Sequence, residues 1–224
     1  SFNYLPMLNE SGKIDTQQAK LPAHLDMVEK IKEADEPIAL VMTGPLTDLA
    51  RALDVDPDIE KNIEKLYWMG GSLDGHGNVA MVNADGSQEW NSFWDPYAVK
   101  RVFESNIPIQ MVGLESTEEL PLNDELRQHW ASLRKYPAMD LIGQSYSLIV
   151  SIPSAELYLW DVLTTISALY PEVVETETAK ARVITDGLSA GSFVRDPKGR
   201  EVTLVTKANK DLFFQKMDEI LERK

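Results

Sequence analysis

The sequence predicts an α/β fold: a mainly parallel, doubly wound open sheet. Three short apolar runs carry this reading, at 37–42, 63–69 and 108–113, and each ends in a glycine or within two residues of one. Runs of this length suit strands buried on both faces, the usual condition of a parallel sheet. Helical stripes lie between them, and alternating strands and helices imply crossover units. Ligands of such sheets bind beyond the carboxyl ends of the strands. Thr43, Met69 and Gly113 stand at those ends. Residues 1–224 read as a single domain, long enough for a sizeable core.

The elements follow in order. Residues 1–22 read as an irregular, polar opening segment. Leu25, Val28 and Ile31 form a helical stripe over 23–34. The strand 37–42 is broken by Thr43-Gly44-Pro45, and Pro45 suits the first turn of a helix over 46–53. The strand 63–69 ends at Gly70-Gly71, Asp95 or Pro96 opens a helix to about 105, and 108–113 is the third strand. Helices are expected over 123–135, 140–149 and 157–169, late strands over 181–185 and 202–205, and a closing amphipathic helix over 211–223.

Composition narrows the function. A net charge of −14 disfavours nonspecific binding to nucleic acid or anionic membrane. The absence of cysteine excludes disulfides, zinc-thiolate sites and thiol nucleophiles. No apolar run approaches the roughly 20 residues of a membrane span. Ser1 to Pro6 lacks the basic and apolar regions of a signal peptide and an initiator methionine, so the translated N-terminus is expected to lie upstream. Compartment is left open, with the cytoplasm favoured.

The most informative stretch is Gln88 to Pro96, preceded by Met69-Gly70-Gly71-Ser72 and Gly75-His76-Gly77-Asn78. It combines too many aromatic residues for a plain loop with too many polar groups for a core. A pocket that hydrogen-bonds hydroxyls beside an apolar wall fits this composition, and a sugar fits the pocket. Glu89 and Asn91 lie two apart, which in an extended segment points both to one side; a solvated loop is the plainer alternative. The Thr43 carbonyl, at a strand end, suits a hard cation such as calcium, although a simple strand-to-helix turn would look the same. Trp160-Asp161 begins a helix. The acid either favours the helix dipole or binds a metal and a sugar hydroxyl, and the indole either packs or stacks on a flat ligand. Asp54 to Asp58 reads as a solvated turn, His24 and His129 as structural or exposed, and His76 as a candidate for ligand contact or proton transfer. Walker, GxGxxG and nucleophile-elbow motifs are absent.

Taken jointly, Thr43 to Ala50, Met69-Gly70-Gly71, Gly77-Asn78, Glu89-Trp90-Asn91 with Asp95-Pro96, Trp160-Asp161 and Thr185 to Gly191 resemble the inosine-uridine-preferring nucleoside hydrolase family. Trp160 is similar to the purine-specific (inosine-adenosine-guanosine) branch. The resemblance implies calcium at the Thr43 carbonyl and the Asp161 carboxylate. It places Asn78, Glu89 and Asn91 on the ribose hydroxyls, Met69 under the sugar with Trp90 beside it, and Trp160 on the base. The implied reaction is hydrolysis of the N-glycosidic bond of a ribonucleoside by a calcium-bound water. Asp161 and Trp160 are then the catalytic candidates, with no general base in the chain. Glu115 stands where the family commonly has aspartate.

The family's opening strand, with its acidic calcium cluster, has no counterpart in the sequence. The chain is therefore expected to be an incomplete domain, either truncated or accompanied by a separate N-terminal polypeptide piece, and its sheet to show a gap or a second chain filling one. A noncatalytic nucleoside- or ribose-binding protein, or an inactive fragment, is the alternative. The resemblance also implies a homo-oligomer, dimer or tetramer.

Overall fold

The computed structural model describes residues 19–133, 135–150 and 157–222; most of the opening segment, 1–18, lies outside them. The elements run α1 (Ala23–Glu33), β1 (Ile38–Met42), α2 (Thr47–Val55), β2 (Ile63–Met69), α3 (Trp90–Trp94), α4 (Pro96–Phe103), β3 (Ile109–Val112), α5 (Leu114–Thr117), α6 (Asp124–Ser132), α7 (Pro137–Val150), α8 (Trp160–Leu169), β4 (Val174–Val183), β5 (Phe193–Arg195), β6 (Arg200–Ala208) and α9 (Lys210–Leu221).

The six strands form one sheet in the order β1-β2-β3-β6-β4-β5. β1, β2, β3 and β6 are parallel, while β4 runs antiparallel between β6 and β5. Helices cover both faces. Val28 and Ile31 of α1, Leu49 and Leu53 of α2 and Val99 and Val102 of α4 pack on one side with Leu66 and Trp68. Trp130 of α6, Leu163 of α8 and Phe213 of α9 pack on the other with Val112 and Val205. The doubly wound expectation therefore holds.

Three expectations need correction. No gap interrupts the sheet: among the described residues the strands pair without a break, and β1 is an edge strand whose one partner is β2. The open pairing edge is thus at the margin of the sheet, where it interrupts no ladder. Glu89 and Asn91 do not share an extended segment: Glu89 is extended, but Trp90–Trp94 is a helical turn. Finally, β4 begins at Val174, well before 181, and β5 was not foreseen. The early part of β4, Val174-Glu175-Thr176-Glu177-Thr178, has no apolar alternation because most of it faces solvent.

Candidate active site

Parallel register brings the strand ends together. Met42 pairs with Trp68 and Met69 with Val112, so Thr43, Gly70 and Gly113 follow side by side on one rim. The chain turns sharply after β2. Gly71 has φ +75, and a Cβ there would collide with Met111 and Phe193, so only glycine fits.

Glu89 is the hub of this rim. It is 2% exposed and caps α3, its carboxylate accepting from Asn91 N (3.0 Å), Ser92 N (3.2 Å) and Gly71 N (2.9 Å). Burial pushes its carboxyl up to about 6, opposed by the amides of Asn91, Gly71 and Ser92 and reinforced by the charge of Asp161. Asn91, now in the first turn of a helix, donates from Nδ2 to the Met69 carbonyl at 3.0 Å. Asn78 accepts from Trp90 N through Oδ1 at 3.2 Å, and its own amide donates to the Gln88 carbonyl at 2.9 Å. Met69, Asn78, Glu89, Trp90 and Asn91 are thereby linked at the end of β2. Trp90 and Trp94 stack at 5.4 Å between ring centroids.

Thr43 and Asp161 line a second part of the rim, a largely apolar groove of about 350 Å³ shared with Ile142, Tyr146 and Val162. Asp161 is exposed, yet the apolar walls desolvate it enough to push its carboxyl above the usual range. Trp160 is half-buried, with Tyr158 5.6 Å away, and its Nε1 is buried without an acceptor. Tyr146 was missed by sequence reasoning. Its signal was an i, i+4 pair with Ile142 on an otherwise unremarkable apolar helix.

Asp95 has a structural job: Oδ1 accepts from Ala98 N at 3.0 Å as the cap of α4, and Oδ2 accepts from Thr47 Oγ1 at 2.7 Å. Asp54, Asp56 and Asp58 form surface pairs with Arg101, Lys32 and Lys61, and His129 pairs with Asp218, as a solvated turn and a surface helix would.

Calcium takes about six to eight oxygen ligands. Among the described residues no group of three His, Asp or Glu could hold a metal, and Thr43 and Asp161 alone do not make such a shell. The donor set among the described residues is too small for the ion by itself.

Residues 6–215 match the family described as inosine-uridine preferring nucleoside hydrolase. The chain belongs to that family. Within the nucleoside hydrolases, the chain is 44% identical to an inosine-uridine preferring nucleoside hydrolase of Bacillus anthracis, with a TM-score of 0.89 over 97% of this chain and 71% of that one. It is 33% identical over 195 residues to a non-specific ribonucleoside hydrolase, RihC, of Salmonella paratyphi A, covering 84% of this chain and 60% of that protein. It is 41% identical over 99 residues to a pyrimidine-specific ribonucleoside hydrolase, RihA, of Shewanella woodyi, covering 44% and 30%. The chain thus spans between about a third and three fifths of the length of these two curated relatives.

Proposed function

We propose that this chain carries the substrate-binding rim of a ribonucleoside hydrolase that splits the N-glycosidic bond to ribose and free base, with purine nucleosides favoured. The observation that carries this reading is the linked cluster Met69, Asn78, Glu89, Trp90 and Asn91 at the end of β2. Asn78 and Asn91 keep amide hydrogens or lone pairs to spare after their internal bonds, and Glu89 fixes the turn that presents them. Such groups bind vicinal hydroxyls. An oxocarbenium-like transition state would gain from the neighbouring negative charge of Glu89 and Asp161, and stacking on Trp160 would help a purine depart.

Calcium is the ion proposed for Thr43 and Asp161, with its remaining donors supplied from outside the described residues. When bound, it would hold and acidify the attacking water. A small-molecule ribonucleoside is the partner proposed, in a homo-oligomer. Among the described residues no helix is long and apolar enough to cross a membrane.

The test is ribose release from inosine and from uridine, with calcium and with a chelator. The expected outcome is calcium-dependent release, faster from inosine, and abolished in Asp161→Ala. Equal release in chelator would remove the metal from the reading, and faster release from uridine would reverse the base preference. The alternative is a nucleoside- or ribose-binding protein without turnover. Saturable inosine binding with no ribose released in excess calcium would establish it.

A further inference from the structure

His76 was expected in the pocket as a ligand contact or proton carrier. The structure holds it in a clasp. Its Nδ1 lies 2.8 Å from Asp74 Oδ1 and its Nε2 3.1 Å from Glu118 Oε2. Asp74 is on the same loop, and Glu118 follows α5, the helical turn after β3. A neutral imidazole donates from one nitrogen only, whereas an imidazolium donates from both. Only the charged ring therefore satisfies both carboxylates.

Two further contacts make this junction a built one. The Leu73 amide donates to Glu115 Oε1, as does the Asp74 amide at 3.2 Å, so α5 already grips the loop immediately before His76. After it, Gly77 lies so close to the Gln88 backbone that no side chain would fit, and the Asn78 amide donates to the Gln88 carbonyl. His76 stands between these anchors, two residues from Asn78. Gly75, with φ +90, is the conformationally permissive link that the clasp must restrain.

We propose that His76 is a positioning residue: its imidazolium, held between Asp74 and Glu118, fastens the 72–78 loop to α5 and so sets Asn78 for ribose. The inference rests on Asn78 as a ribose contact. The charged groups facing the ring among the described residues are Asp74, Glu118 and, behind Asp74, Glu115, all acids. Burial alone would lower the affinity of the ring for a proton, but Asp74 and Glu118 outweigh it and raise it above the ordinary histidine value. The clasp is therefore complete while the ring is protonated and opens as pH rises through that raised value.

The test uses the full chain, with inosine as probe, over a pH range that starts at 6 and spans the wild-type transition. Steady-state kcat and KM and the protection of the 73–79 amides against hydrogen exchange are measured for wild type, His76→Gln, His76→Lys and Glu118→Gln. In wild type, KM should rise about fivefold on the alkaline side with kcat unchanged, and loop protection should fall with it, the scale of one lost charge-assisted bond. His76→Gln and Glu118→Gln should show the high KM and low protection throughout. His76→Lys, which stays charged, should keep the low KM across the range. Wild-type KM and protection in His76→Gln would overturn the proposal, and so would a loss confined to kcat. If wild type neither binds nor hydrolyses inosine, the functional reading fails separately. Exchange then decides the clasp: protection lost in His76→Gln upholds the fastening, and unchanged protection overturns it.

Discussion

Glu89 is one carboxylate with two duties. It closes the N-terminus of α3 and the Gly71 turn, and it is among the groups proposed to meet the sugar. The duties conflict, because a side chain 2% exposed is expensive to ionise. The sign of the consequence follows from linkage. A carboxyl held at about 6 when folded, against 4.5 for the unperturbed group, binds more protons in the folded state. Its contribution is thus greatest below about pH 4.5 and shrinks as pH rises to 6, by about 2 kcal/mol. Melting in calcium-free buffer should show the stability gap between wild type and Glu89→Ala narrowing over that window. A gap that widens with pH would mean that the three amides, and not burial, govern the group. Sequence reading found Glu89 and Asn91 but placed them on an extended segment. The i, i+2 rule has no access to a cap made by a side chain on its own following turn.

Short helices need their caps more than long ones do, and the α3–α4 pair shows it. Asp95 ends α3, caps α4 and accepts from Thr47 of α2. Asp95→Ala should therefore cost about 2 kcal/mol, the sum of a lost cap and one lost side-chain bond. Asp95→Asn should recover much of it, since its amide oxygen still accepts. Urea unfolding measures both, and a loss below about 0.5 kcal/mol in Asp95→Ala would show the cap to be dispensable. Elements with apolar signatures were legible: β2 was read with its observed bounds, and β3 and α2 nearly so. Those whose reasons are tertiary were not. Early β4 is polar because it faces water, and the three-residue β5 is strand only through its pairing with Ala181 to Val183.

At the scale of the molecule, one sheet separates the work. Parallel strands deliver Thr43, Gly70 and Gly113 to a common rim, while helices on both faces bury the core behind it. That rim was predictable from strand direction alone; which of its residues touch was not, because contacts such as Asp85 with Ser189 join loops far apart in sequence. The same sheet leaves β1 paired on one side among the described residues, with Val41 41% exposed. Unpaired, apolar edges invite other chains. Val41→Lys should reduce concentration-dependent light scattering of the folded protein without lowering its melting temperature by more than a few degrees. Unchanged scattering would show that this edge is not the association site.

The loop between the site and α3 is tethered near both ends, by Glu115 at Leu73 and, at its far end, by Asp85 and Gln88 to the 188–189 turn. Between these tethers Val82 projects wholly into water. The chain contains no cysteine. A single thiol introduced at Val82 would thus be unique, so that one dye could be attached there and the arrival of a ligand followed by fluorescence without disturbing any bond of the site.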